Sequence, residues 1–227
     1  MLALASSLFA DNGKELKLAS PDGTHEIVFY QKQVSPAVNE LCYRVDYKSQ
    51  PVVNESRAGL ELDNRIWEMA LGVRNLKQPA CWMDNLEVDS VTYQPEINLT
   101  WQPLYGERSS VRDHYRAGTL CLSKKDNSGY RLNIEVRAYN EGVAFRYFFP
   151  EHPKAIFHKV VGDLTEYALP AGTKAWTEQW AQAFFECLNI DDIKHPVERA
   201  LTLELPNGKW AALADADVDD WCLTKYL

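Results

Sequence analysis

The alternation of apolar and polar residues with a period of two constrains the fold of this chain more than any other feature of its sequence. It is clearest in residues 131–138, where every even-numbered residue is apolar and every odd-numbered residue is polar. Successive side chains of a β-strand point to opposite faces, so this pattern predicts an antiparallel strand with one buried face. Helical periodicity is weak and is confined to residues 64–76.

Turn signals separate the alternating segments. Each of three such signals lies between two predicted strands: Pro21-Asp22-Gly23, Asn140-Glu141-Gly142 and Pro206-Asn207-Gly208-Lys209. Turns of this composition join neighbouring antiparallel strands in hairpins. Many short strands with such turns between them predict an all-β fold, an antiparallel sandwich. The chain shows no linker, repeat or low-complexity tract, and we therefore predict one domain.

The composition and net charge of the chain argue against some classes of binding partner. The 227 residues are 46% hydrophobic, and 24 Lys and Arg against 32 Asp and Glu give a net charge of −8. A globular chain of this length can bury roughly 70% of its extended-chain surface and form a core. Without a basic cluster it is poorly suited to bind nucleic acid or an anionic membrane. No stretch has the length and apolarity that a transmembrane helix requires.

Common catalytic and metal-binding motifs are absent from the sequence. It contains no GxGxxG, GxxxxGK[ST], HExxH or GxSxG segment, and its five cysteines include no CxxC pair. The usual signatures of nucleotide binding, zinc proteolysis and α/β-hydrolase chemistry are therefore missing. Most of the cysteines flank apolar or aromatic residues, so we favour buried thiols that act as small hydrophobic side chains over a disulfide framework.

A first candidate constellation combines residues 101–108 with residues 111–115. It brings Trp101 and Tyr105 together with arginines and carboxylates. Aromatic rings can stack on sugar rings while charged groups bind hydroxyls, so the segment is a candidate sugar-contacting surface. The same aromatics could instead cover the core, with arginine and glutamate paired at its rim, and the residue types alone favour this second interpretation.

Two further constellations contain carboxylates. Glu186 follows two phenylalanines, and it is either a desolvated ligand or acid, or an outward-facing residue of an edge strand. Asp215, Asp217 and Asp219 alternate, as oxygen ligands of a hard cation can. The EF-hand template fails, because it requires glycine at Asp220 and glutamate at Tyr226. We therefore favour a solvated acidic stripe along a strand.

The N-terminus has the character of a processed leader. Residues 1–10 are apolar and rich in small side chains, and residues 11–14 are polar. This pattern is typical of the back half of a secretory signal peptide without its basic n-region, and it predicts export to a bacterial periplasm. A frayed apolar terminus is the alternative, since ten residues are too few to span a bilayer.

Several segments taken together carry a family resemblance. They are Ser20-Pro21-Asp22-Gly23, residues 101–108 with Asp113 and Tyr115, residues 142–147, residues 175–186 and residues 210–221. In their order and spacing the sequence resembles the N-terminal β-sandwich domain of glycoside hydrolase family 97, the exported Bacteroidetes α-glucosidases and α-galactosidases. The resemblance runs from about Glu15 to Leu227. It implies an antiparallel β-super-sandwich similar to galactose-mutarotase-like domains over residues 11–227, after a signal-peptide remnant at residues 1–10.

The resemblance also implies which domain of the enzyme carries each function. Family members continue from the sandwich into a (β/α)₈ barrel and a small β domain, and the barrel carries the two catalytic groups. The resemblance therefore implies no catalytic residue in this chain, which acts on an α-linked oligosaccharide only with the barrel in cis. In calcium-dependent members the sandwich supplies one glutamate to a Ca²⁺ beside the substrate. Glu186 is the matching position, and alone it should bind Ca²⁺ poorly because the other carboxylates come from the barrel.

Two departures from the family pattern leave other functions open. Family members have Glu-Ala where this chain has Asp215-Ala216, and the sequence stops on apolar and aromatic residues with no barrel behind them. We therefore predict a C-terminally truncated sandwich that belongs to a longer glycosidase. One alternative is a stand-alone carbohydrate-binding sandwich. Another is an interaction domain that uses exposed Trp176 and Trp180.

Overall fold

The computed structural model describes residues 14–63, 82–125, 129–151, 158–216, 218–219 and 221–227. The strands are β1 (Glu15–Ala19), β2 (His25–Ser35), β3 (Val38–Tyr47), β4 (Gln50–Arg57), β5 (Leu60–Leu62), β6 (Leu86–Tyr93), β7 (Ile97–Trp101), β8 (Val111–Lys124), β9 (Arg131–Tyr139), β10 (Gly142–Phe148), β11 (Val160–Asp163), β12 (Lys174–Thr177), β13 (Glu186–Asn189), β14 (Leu201–Glu204) and β15 (Trp210–Leu213). Apart from a 3₁₀ turn at Ile190–Asp192, the described residues contain no helix. The all-β prediction is confirmed. The weak helical pattern at residues 64–76 lies outside the described residues.

The strands form four sheets. Two have four strands, in the orders β1-β2-β3-β4 and β13-β12-β14-β15. A five-stranded sheet has the order β10-β9-β8-β6 with β7 also on β8, and β11 pairs with β5. The pairs β1–β2, β9–β10 and β14–β15 are antiparallel hairpins, as the three turn signals predict.

The chain forms two compact units. The first comprises residues 1–51 and 55–167, and the second comprises residues 52–54 and 168–227. The composition of the sequence shows no boundary near residue 167. No helix among the described residues has the length and apolarity needed to cross a bilayer.

The core of the first unit follows the period-two pattern. Leu132, Ile134 and Val136 of β9 are buried, whereas the residues between them are more exposed. Leu120 and Leu122 of β8 lie directly opposite Ile134 and Leu132 and are also buried. One face of the five-stranded sheet is therefore apolar core, and the predicted half-buried strand is confirmed.

The core of the second unit is smaller. Its buried cluster among the described residues is Ala175, Val197, Leu201 and Leu203. Along β12 the buried Ala175 and Thr177 alternate with exposed Lys174 and Trp176. The sheet of this unit therefore has one core face and one solvent face. Thr177, on the core face, also lines the candidate site.

Candidate functional site

A pocket of about 440 Å³ opens in the second unit. Its wall combines the end of β12, the loop that follows it, β13, and the segment from Asp192 to Val197. Glu178, Glu186, Asp192 and His195 contribute polar groups to it, and Trp180 and Phe184 contribute aromatic rings. Phe184 and Glu186 of the second constellation line this pocket.

The backbone of Glu186 is fixed by its strand. β13 is an edge strand that pairs with β12, where Glu186 lies directly opposite Thr177. The buried Thr177 donates a hydrogen bond from Oγ1 to the carbonyl oxygen of Glu186 at 3.3 Å. Residues opposite each other in an antiparallel pair share a face, so Glu186 stands on the core face of the sheet.

The carboxylate of Glu186 remains available to a ligand. The residue is exposed, and its side chain makes no hydrogen bond or ion pair with the described part of the chain. Glu186 therefore lies on an edge strand, as one interpretation of the sequence predicts, but on the core face of the sheet, where it lines the pocket.

The loop between β12 and β13 places the pocket's aromatic rings. The amide of Ala183 donates to the carbonyl oxygen of Trp180 at 2.9 Å, and Gln182 adopts a φ of 78°. A positive φ is uncommon for a residue with a side chain and marks a tight turn. The turn leaves Trp180 and Phe184 exposed at the pocket.

Another part of the pocket lining lies at the 3₁₀ turn and in the residues that follow it. The side-chain amide of Asn189 donates to a carboxylate oxygen of Asp192 at 3.1 Å. The amide of Ile193 donates to the carbonyl oxygen of Ile190 at 3.2 Å, and Lys194 Nζ donates to the carbonyl oxygen of Asp191 at 3.0 Å. The sequence alone does not indicate that Asp192 and His195 lie in the same pocket, because a single 3₁₀ turn leaves no periodic pattern.

The donor chemistry of the pocket suits a hard cation only in part. Carboxylates such as Glu186, Glu178 and Asp192 are oxygen ligands of the kind that Ca²⁺ prefers. Among the described residues, however, no three His, Cys, Asp or Glu side chains converge on one point. A Ca²⁺ held here would therefore need oxygen ligands beyond these carboxylates.

The first constellation differs from its favoured interpretation. Trp101 is 52% exposed, Leu104 100% and Tyr105 90%, so these side chains do not cover the core. The physical reason is their position, because β7 ends at Trp101 and residues 102–110 connect it to β8 beyond the end of the pairing. The prediction of core aromatics is wrong at Trp101 and Tyr105.

The aspartate constellation also differs from the favoured interpretation. β15 ends at Leu213, so Asp215 does not belong to a strand. Its carboxylate accepts a hydrogen bond from the amide of Thr224 at 3.0 Å and lies 3.7 Å from Nε of Arg199. The stripe prediction is wrong for Asp215, which is part of local packing. Asp217 and Asp220 lie outside the described residues.

The cysteines divide between interior and surface. Cys42 is buried, Cys121 is half-buried, and Cys187 and Cys222 are exposed, and all four are free thiols. The prediction of buried thiols is therefore wrong for Cys187 and Cys222. Cys187 belongs to the short edge strand β13, and Cys222 lies beyond the last strand.

Known proteins resemble this chain over most of its length. The curated retaining α-galactosidase of Bacteroides thetaiotaomicron is 26% identical over 175 residues, which are 77% of this chain and 22% of that enzyme. Glycoside hydrolase family 97 enzyme structures from Pseudoalteromonas sp. strain K8, among them complexes with panose and with acarbose, superpose with a TM-score of 0.78 at 21% identity. They cover 92% of this chain, which covers 30% of theirs.

A more distant structure shows the same fold. A β-arabinopyranosidase superposes with a TM-score of 0.67 at 16% identity, over 87% of this chain and 31% of its own. The chain thus spans less than a third of the length of these relatives.

The family assignment rests on a family model. The model described as glycosyl-hydrolase 97 N-terminal matches residues 18–226, which include strands of both compact units. Because the match covers nearly the whole sequence, this chain belongs to the glycosyl-hydrolase 97 N-terminal family.

Proposed function

We propose that this chain is the N-terminal domain of a calcium-dependent, exo-acting α-glycosidase, an α-glucosidase or α-galactosidase. In that enzyme it supports a (β/α)₈ catalytic barrel and donates Glu186 to a Ca²⁺ beside the substrate. One observation carries this proposal: Glu186 lines a pocket with its backbone fixed on β13 and its carboxylate exposed and unpaired within the described residues.

The donor count supports sharing of the metal between two domains. Ca²⁺ takes six to eight oxygen ligands, and one glutamate supplies at most two. The remaining oxygens would come from the barrel, so the domain alone would bind the ion weakly. The two carboxylates of a glycosidase flank the scissile bond. We place that pair in the part of the enzyme that this chain does not match.

The relatives support the substrate class. One is named a retaining α-galactosidase, and another is described in complex with panose. We infer that the complete enzyme acts on an α-linked oligosaccharide. We also propose that residues 1–10, which lie outside the described residues, are the remnant of a signal for export to the periplasm.

Terbium luminescence tests the role of Glu186 in the chain as it exists. Tb³⁺ substitutes for Ca²⁺ at oxygen sites, and Trp180 at the pocket can sensitise its emission. We expect weak binding, with a dissociation constant of about 1 mM or weaker, and displacement by Ca²⁺. Glu186→Gln removes a charge while it preserves the shape of the side chain, and we expect it to abolish the sensitised emission.

Glu204→Gln is the matched control. Glu204 lies in the same sheet but opposite Lys174 and Trp210, on the solvent face, so its substitution should leave the emission unchanged. Equal emission from wild type and Glu186→Gln would contradict the proposed ligand role. Hydrolysis of p-nitrophenyl α-glucoside or α-galactoside by the isolated chain, abolished by Glu186→Ala, would contradict its proposed inactivity.

A further inference from the structure

A second surface with binding chemistry lies in the first unit, on the side of the five-stranded sheet opposite its core. We define the outer aromatic face by Leu99 and Trp101 of β7, Asp113 and Tyr115 of β8, and Arg137 and Tyr139 of β9. Leu99 lies directly opposite Asp113, and Tyr115 directly opposite Tyr139. Since side chains two residues apart share a face, all six stand on one side of the sheet.

One end of the outer aromatic face is held in place by its own contacts. The rings of Tyr115 and Tyr139 lie 5.0 Å apart, and the guanidinium of Arg137 lies 4.7 Å from the centre of the Tyr115 ring. An Nη of Arg137 donates to the Tyr139 hydroxyl at 3.4 Å. That hydrogen bond raises the pKa of Arg137, and the negative charge of Asp113 adds to the effect. Rings and charges are therefore placed before any ligand arrives.

The other end of the face is open. Trp101 and Leu99 are largely exposed, and Trp101 is four residues from Ile97, which lies opposite Tyr115. Four residues of extended strand correspond to about 14 Å. The face is thus a strip with aromatic rings towards both ends and the carboxylate of Asp113 between them, and the Arg137 guanidinium lies over the Tyr115 ring at the ordered end.

This order of groups favours a sugar over a protein. A pyranose presents an apolar C–H face that stacks on an aromatic ring, and hydroxyls at its edge that bind carboxylates and guanidinium groups. A protein interface concentrates apolar groups at its centre and is depleted of charge there. Covering Asp113 and Arg137 with a protein would desolvate both charges, whereas hydroxyls can replace their water.

We infer that the outer aromatic face binds a short neutral oligosaccharide, separately from the pocket that contains Glu186. The net charge of −8 disfavours acidic glycans, so the expected ligand is neutral. The inference goes beyond the proposed function, because the face shares no residue with the pocket and requires neither calcium nor a barrel.

We would test the inference by titrating the 227-residue chain with maltotriose and with raffinose. Calorimetry and tryptophan fluorescence would detect binding. We expect binding, and we expect Trp101→Ala to weaken it about tenfold, the effect of losing roughly one ring contact. Asp113→Asn, which is isosteric and carries little folding risk, should weaken binding as well. Circular dichroism verifies that both variants are folded.

Two controls separate this face from the pocket. Trp210, in the second unit, is 59% exposed and therefore matches Trp101, and Trp210→Ala should bind both sugars like wild type. Glu186→Gln should also bind them normally, even if it loses Tb³⁺. Three outcomes would overturn the inference: no binding by wild type, loss of binding only in Glu186→Gln or Trp180→Ala, or self-association of wild type that Trp101→Ala abolishes.

Discussion

Leu203→Ala should selectively loosen the unit that presents Glu186. Leu203 is fully buried at the centre of β14, in a cluster whose other described buried members are Ala175, Val197 and Leu201. Its cross-strand neighbours are Ala175 on β12 and Ala211 on β15. Because both neighbours are alanines, Leu203 itself fills most of the space between the three strands.

The expected cost follows from this geometry. Leucine-to-alanine substitutions in cores cost about 2–5 kcal/mol, and the cost rises with the volume of the cavity that remains. Alanine neighbours cannot extend into the space that Leu203 leaves, so we expect a cost above the lower end of that range, of about 3 kcal/mol. A loss of roughly 3 kcal/mol corresponds to about a hundredfold increase in the opening equilibrium.

Hydrogen–deuterium exchange with mass spectrometry measures this opening directly. Peptides over β12, β13 and β14 should exchange about a hundredfold faster in Leu203→Ala than in wild type. Leu223→Ala is the control, because Leu223 belongs to the same unit but is largely exposed. The reasoning would be refuted if Leu203→Ala exchanged no faster than Leu223→Ala.

Three further predictions concern reactivity, acid stability and packing. Iodoacetamide at pH 8 should modify Cys187 and Cys222 in the native chain and spare Cys42, since burial raises the pKa of the Cys42 thiol to about 11; peptide mapping measures the order. Hydrogen bonds from a serine hydroxyl and a threonine amide lower the pKa of Asp22 from 3.8 to about 2, so its stabilising effect is present above 3.8 and disappears as the pH falls through about 2. Asp22→Asn should remove that part of the acid sensitivity in urea titrations between those two pH values. Gly118→Ala should cost about 1–3 kcal/mol in urea unfolding, because its new Cβ would lie 3.2–3.3 Å from a leucine, a carbonyl oxygen and a tyrosine ring; unchanged stability would contradict this.

The strands could be predicted from the sequence because their physics is local. In residues 131–138 each apolar side chain sits two positions from the next, and the structure buries that set. The turn residues between predicted strands fix which strands are neighbours, as the hairpin of β9 and β10 shows. A lone carboxylate behind two phenylalanines also predicts an edge strand for Glu186, and the structure places β13 at the edge of its sheet.

Exposure could not be predicted in the same way, because it depends on what covers a side chain. Trp101 and Tyr105 have the composition of core aromatics, yet both are largely exposed. Asp215 fits an alternating acidic stripe, but the strand ends two residues earlier and its carboxylate accepts the amide of Thr224. In each case alternation indicates a face, and only the tertiary structure shows whether that face meets protein or solvent.

The polar residues of the pocket could not be predicted as a group from the sequence either. Glu178, Asp192 and His195 line it with Glu186, although the sequence separates them by up to 17 positions. A loop with one positive φ and a single 3₁₀ turn bring them to one pocket. Neither element leaves a periodic signal that could relate these residues to Glu186 in advance.

The reading frame beyond codon 227 of the source locus tests the central claim most directly. The account predicts an open frame that continues for about 250 residues or more, with the alternating strands and helices of a (β/α)₈ barrel. A carboxylate pair suited to glycoside hydrolysis should lie within it. A stop codon at position 228 would contradict the proposal that this domain serves a catalytic barrel in cis, and would leave sugar binding as its function.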